Sequence, residues 1–147
     1  LQKNPNLKLV ITSRASDPMY VKRAVSLGDS IRFLGHVDDD CLNALYRSAA
    51  VVWFSSRYEG FGMPALEAMA CGATVVASDN AAIPEVTGGA AILVHPAKPD
   101  DHVESLDTIY RNDALRGQYA ALGVKRAQHF TWMNSALRMK TLLESVA

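Results

Sequence analysis

The stretch from Ser55 to Asp79, S-S-R-Y-E-G-F-G-M-P-A-L-E-A-M-A-C-G-A-T-V-V-A-S-D, limits what this chain can fold into more than any other part of it. The apolar run Ala49–Phe54 enters a polar, glycine-bearing loop over residues 55–62. Pro64 suits the first turn of a helix, where its missing N–H costs nothing. Gly72 suits the C′ position that ends one. Thr74–Ala77 then reads as a short strand, apolar and rich in β-branched residues. Between Pro64 and Gly72 the only charged side chain is Glu67, and the other positions are Ala, Leu, Met or Cys. Such a helix is apolar nearly all round and is predicted to be buried. A lone carboxylate on a buried helix needs a partner or a ligand.

Two carboxylates bracket the loop. Glu59 lies before its turn and Glu67 lies on the helix, with seven residues between them. Gly60 and Gly62 let the backbone pass close to another group. The helix start at Met63-Pro64 offers free N–H groups and the positive end of a dipole, which suits phosphate. An anion site with a carboxylate on either side matches a nucleotide-sugar, whose phosphates meet amides and whose hydroxyls meet carboxylates. The residues alone also allow a plainer reading, in which Glu59 is a solvated loop residue and Glu67 pairs with a core Arg or Lys.

The remaining chain repeats the same alternation. Leu7–Ser13, Ile31–Leu34, Ala50–Phe54, Thr74–Ala77 and Ala91–Val94 are predicted strands. Helices are predicted over Met19–Leu27, from the Asp38–Asp40 cap through Ser48, over Ile83–Val86, His102–Tyr110, Ala114–Gln128, and Trp132–Val146 behind a Thr131 cap. Strands alternating with helices imply a Rossmann-like, doubly wound parallel sheet with helices on both faces, an α/β fold formed by one domain over residues 1–147. The continuous apolar character of Ala50–Phe54 fits a strand covered on both faces. In such sheets ligands sit at the carboxyl ends of strands. Ser13-Arg14, Gly35-His36-Val37 and the loop Ser55–Gly62 all fall there.

Composition excludes several classes. Fifteen Lys and Arg balance fifteen Asp and Glu, which gives no support to a nucleic-acid binder. No apolar run approaches the roughly 20 residues of a membrane span, and no leader pattern opens the chain. Cys41 and Cys71 sit in apolar helical patterns without metal spacing, and are expected to be buried free thiols of a reducing compartment, the cytoplasm. His36, His95, His102 and His129 are scattered without ligand spacing. Consecutive Asp38, Asp39 and Asp40 point around a helix rather than at one ion, so they read as a cap and an acidic first turn. No metal is expected.

The string E-G-F-G-M-P-A-L-E-A-M-A-C-G resembles the E-x7-E motif of retaining glycosyltransferases of the GT-B fold, group 1 (family four). Phe33-Leu34-Gly35-His36-Val37 resembles that family's F-L-G-x-V corner, and Leu45-Tyr46-Arg47-Ser48-Ala49 its L-Y-x-x-A helix end. Val76-Ala77-Ser78 followed by Ile83-Pro84-Glu85-Val86 is similar to V-A-S…P-E-V, and Phe130-Thr131-Trp132 to F-[ST]-W. The resemblance covers most of the chain, in order. It implies a C-terminal, donor-binding domain without its opening strand, helix and basic diphosphate grip, and without the N-terminal acceptor domain of the family.

The resemblance also implies roles. Glu67 matches the glutamate that bonds the ribose hydroxyls, and Glu59 the one that contacts the donor sugar near the reacting centre. The amides of Phe61, Gly62 and Met63 would approach sugar and diphosphate. His36 and Val37 would lie against the base, although His36 reads equally as a solvated loop residue. Arg14 would reach the nucleotide, or stands as a surface arginine. The implied reaction is retaining transfer of a hexose from a nucleotide diphosphate donor to an acceptor hydroxyl, with no cofactor, in polysaccharide or glycoconjugate synthesis. Sequences with G-M-P here look like mannosyl or related transferases. A nucleotide-sugar epimerase of similar fold, or a non-catalytic nucleotide-binding module, is the alternative. A Rossmann dehydrogenase is disfavoured, because Gly60-Phe61-Gly62 lacks the third glycine of G-x-G-x-x-G. Thr12-Ser13-Arg14 at the first strand end lacks the acidic pocket of a receiver module.

Overall fold

A computed structural model of the chain describes residues 7–13 and 18–146. The chain divides into two compact units, residues 1–42 and 43–147.

In the first unit, β1 (Leu9–Ile11) pairs in parallel with β2 (Ile31–Phe33), with Leu9 opposite Ile31 and Ile11 opposite Phe33. Helix α1 (Pro18–Val25) connects them and is followed by a single 3-10 turn, Gly28–Ser30. A parallel pair needs a crossover of this kind, because no hairpin can join its strands.

Helix α2 (Asp39–Ser48) starts where the Asp triplet predicts. The Asp38 carboxylate accepts from the Cys41 amide at 2.8 Å, so it serves as the cap. The second unit is built on a parallel sheet of β3 (Val52–Phe54), β4 (Val75–Ser78) and β5 (Ile92–Val94), in that spatial order. Val52 stands opposite Val75, and Val76 opposite Ile92.

All four residues of the central strand are buried. Successive side chains of a strand point to opposite faces. Val75 and Ala77 join the core formed with α3 (Met63–Ala70) and α4 (Ile83–Thr87), which includes Leu66, Met69, Ile83 and Val86. Val76 points the other way, onto Val94 and Ile109, with Leu106, Leu115 and Tyr119 around them. These belong to α5 (Pro99–Arg111) and α6 (Asp113–Ala127). The central strand is thus covered on both faces, and Val75–Ala77 reads as an apolar run for that reason.

Helix α3 ends as its sequence predicts. The Gly72 amide bonds the Met69 carbonyl at 3.0 Å and the Ala73 amide bonds the Ala68 carbonyl at 2.9 Å. That pair of bonds is a Schellman motif, with Gly72 as the left-handed residue at φ 80°.

Two expectations need correction. The cysteines are free, but Cys41 is exposed and Cys71 half-buried. The apolar pattern of α2 faces Leu42, Leu45 and Tyr46 inward and leaves position 41 outside. Trp53 of β3 is 44 % exposed, so this strand is not covered evenly on both faces. Helix α7 (Trp132–Ser145) forms behind its cap, with the Thr131 hydroxyl accepting from the Asn134 amide at 3.1 Å, but none of its residues is buried.

Candidate functional site

The loop after β3 and the start of α3 place Glu59, Phe61, Gly62, Met63 and Glu67 on one continuous element at the carboxyl end of the sheet. Gly62 is the N-cap of α3, with φ 95° and ψ 41°. This left-handed conformation is open to glycine at little cost. It turns the backbone from the loop into the helix, and the Gly62 carbonyl receives the Ala65 and Leu66 amides at 3.1 and 3.3 Å.

Pro64 stands in the first turn and has no N–H to satisfy. The amides just ahead of it do have N–H groups. Among the described residues, none of the amides of Phe61, Gly62 and Met63 donates to an acceptor of the chain. Amides without a partner at a helix N-terminus, together with the positive end of the helix dipole, suit an anion.

Glu67 is half-buried, one turn into α3, between the buried Leu66 and Ala68. The plain reading, a pair with a core cation, does not hold among the described residues, where no Lys or Arg lies within salt-bridge distance of Glu67. Its partner is Tyr46 of α2, whose hydroxyl donates to Oε2 at 3.5 Å. Burial, then the charge of Glu67 and the hydrogen bond to it, push the Tyr46 phenol from 10.0 up to about 12. The other carboxylate oxygen, Oε1, has no hydrogen-bond partner among the described residues. Two acceptor positions on one carboxylate can serve two vicinal hydroxyls.

Glu59 is half-buried, and its side chain has no hydrogen-bond or ionic partner among the described residues. The loop that carries it is fastened from two directions. The Ser56 hydroxyl donates to the Tyr58 carbonyl at 3.1 Å. The Asn80 carboxamide, in the turn after β4, donates to the Arg57 carbonyl. Phe61 and Met63 are 42 % and 51 % exposed and flank the free amides with apolar surface.

His36 and Val37 belong to the first unit, beyond the carboxyl end of β2, with His36 exposed and Val37 half-buried. Arg14 lies outside the described residues. Sequence reasoning did not single out Asn80, or the bond between Tyr46 and Glu67. Tyr46 was visible as a tyrosine near a helix end, but nothing in its spacing names Glu67. Among the described residues no group of three or more His, Cys, Asp and Glu could hold a metal ion. Among the described residues no helix is long and apolar enough to cross a membrane.

Comparison with known proteins gives this geometry a context. A family model described as "Glycosyl transferases group 1" matches residues 1–112. The chain is 39% identical over 104 residues to the O-antigen chain mannosyltransferase B of Escherichia coli, covering 71% of this chain and 27% of that protein. It resembles the crystal structure of the C-terminal domain of a group 1 family glycosyl transferase (LpcC) from Francisella tularensis, with TM-score 0.74 and 29% identity over 87% of this chain and 71% of that one. It also shares the fold of Anabaena Alr3699/HepE, solved with UDP-glucose, with TM-score 0.81 and 23% identity over 97% of this chain and 42% of that one. The chain spans less than half the length of the curated relatives it matches.

Proposed function

The chain belongs to the group 1 glycosyl transferases, as a C-terminal domain of GT-B fold, and from that premise we propose that it binds the nucleotide-diphosphate sugar donor of a retaining hexosyltransferase. One observation carries the reading: three consecutive unpartnered amides, Phe61 to Met63, lie between two carboxylates that no cation of the described residues neutralises.

In this reading the diphosphate meets the amides and the dipole of α3, which stabilise the charge that grows on the leaving group. Glu67 accepts from the ribose hydroxyls, held by Tyr46. Glu59 contacts the donor sugar near the reacting carbon. For His36, Val37 and Arg14 the family resemblance alone supports a contact with the nucleotide. Catalysis comes from positioning and charge stabilisation, without a metal held by this chain.

The identity to an O-antigen chain mannosyltransferase supports mannose as the sugar and a surface polysaccharide as the product. The free thiols of Cys41 and Cys71 support a cytoplasmic site of action. The curated relatives are more than twice as long as this chain, which supports an acceptor site on a further, N-terminal domain. Sugar transfer by these 147 residues alone would refute that division of labour.

The test is calorimetric titration of the chain with UDP, GDP and ADP, beside a Glu67→Ala variant. Saturable binding of one nucleotide is expected, weakened about tenfold or more in the variant, as for a lost charge-assisted hydrogen bond. Equal binding by both proteins would overturn the role given to Glu67. Absence of binding by a folded wild type would overturn the donor site of this chain.

A further inference from the structure

The amides proposed to hold the diphosphate lie in a short loop, and a separate set of side chains braces that loop from behind. The Phe61 ring meets the Phe130 ring edge-on, with centroids 5.8 Å apart and planes at 85°. The Arg126 guanidinium lies over the other ring of that pair, 4.8 Å from the Phe130 centroid. Its Nε donates to the Val86 carbonyl at 2.9 Å, and its Nη2 donates to the Glu85 carbonyl. Both carbonyls belong to α4, whose other end carries the buried Ile83. A Cβ built on Gly62 would be in ordinary van der Waals contact with Ile83, 3.5 Å from its Cγ1, so Ile83 packs near the Gly62 backbone. A chain of contacts thus runs from Phe61 through Phe130 and Arg126 to α4, whose Ile83 lies near the Gly62 backbone. Arg126 has no carboxylate partner among the described residues, so its charge is answered by helix-end carbonyls and an aromatic face.

We propose that Arg126 and Phe130 are positioning residues for the Phe61–Met63 amides. Phe130 fixes Phe61 by an edge contact that prefers one orientation. Arg126 locks Phe130 to α4, so that α4 and the loop hold one distance. Neither residue touches the proposed ligand. The inference rests on the donor-site reading for its purpose, but its geometry can be tested without ligand.

The experiment uses the ¹⁵N-labelled chain as wild type, Phe130→Leu, Phe130→Tyr and Arg126→Gln. Amide relaxation is measured at Gly60–Met63, with Val75–Ser78 of the buried central strand as the internal reference. Loss of order in the loop is expected in F130L and R126Q, with the reference strand unchanged, and recovery is expected in F130Y. Loop amides as ordered in F130L and R126Q as in the wild type would overturn the proposal, as would equal loosening of loop and strand. Should F130L fail to fold, R126Q and F130Y decide alone.

Titration of the same proteins with UDP and GDP adds the functional readout. Affinity is expected to fall about three- to tenfold in F130L and to recover in F130Y, the scale of one lost aromatic pair. Unchanged affinity in F130L beside a binding wild type would overturn the positioning role. A wild type that binds neither nucleotide would overturn the donor reading, and the relaxation data would still decide the brace.

Discussion

Tyr46 and Glu67 lie on different helices, α2 and α3, and the phenol of one is held 3.5 Å from the carboxylate of the other. The phenol is half-buried, so losing its proton would place two negative charges together out of full water contact. The folded protein therefore keeps that proton up to about pH 12, whereas an unfolded tyrosine loses it near 10.0. Between those values unfolding releases a proton. The stability this pair contributes is complete below pH 10 and is lost as pH rises towards 12. Urea unfolding at pH 8 and pH 11 checks this. The loss between the two pH values is expected to be smaller in Tyr46→Phe than in the wild type, because the other tyrosines act equally in both proteins. An identical loss would show that Tyr46 titrates normally.

Asn80 ties the turn after β4 to the loop that carries Glu59, through the Arg57 carbonyl. Asn80→Ala removes the donor. A net hydrogen bond of this kind is worth about 1 kcal/mol. Stability is expected to fall by that order, with faster amide exchange confined to the loop over residues 57–60. Exchange that stays at the wild-type rate would show that other contacts hold the loop.

Ala81 adopts φ 49°, the only non-glycine residue with positive φ among those described. An L-residue there costs roughly 1–2 kcal/mol, while glycine restores about 0.4–1 kcal/mol of unfolded-chain entropy. Ala81→Gly is therefore expected to stabilise by up to about 1.5 kcal/mol, the difference of those effects. A urea midpoint that moves down would show that the left-handed turn is not strained.

Trp53 and His102 form a second polar contact beside the apolar core. The indole Nε1 stands 3.2 Å from Nδ1 of the buried His102. An indole nitrogen can only donate, so Nδ1 accepts and the histidine proton sits on Nε2. Imidazole ¹⁵N spectra are expected to show the Nε2–H tautomer in the wild type. Trp53→Phe is expected to cost about 1 kcal/mol and to release that preference. A Nδ1–H tautomer in the wild type would contradict the contact.

Much of this molecule was readable residue by residue, where the determining chemistry is local. Pro64 and Gly72 delimit α3 because one lacks an amide and the other accepts a left-handed turn. Asp38 and Thr131 announce helix starts because their side chains bond the amides three residues on. Val75 to Ala77 announce a buried strand because successive residues face opposite sides of the sheet and all three are apolar. The element carrying Glu59, the loop amides and Glu67 followed from those signals and from the E-x7-E resemblance.

Contacts between distant positions were not readable in that way. Periodicity states which face of a helix is apolar, and is silent on what that face meets. Thus Cys41 falls outside an apolar pattern that placed it inside, and the apolar residues of α7 remain exposed. Glu67 was legible as a lone carboxylate in need of a partner, because charge on an apolar helix has a cost wherever the helix lies. That the partner is a tyrosine from α2 rather than a cation, and that Phe61 rests on a ring 69 residues further along the chain, depend on how α2, α3, α4 and α6 pack. Packing brings together groups with no local relation in the chain, so their pairing exists only once the fold has formed.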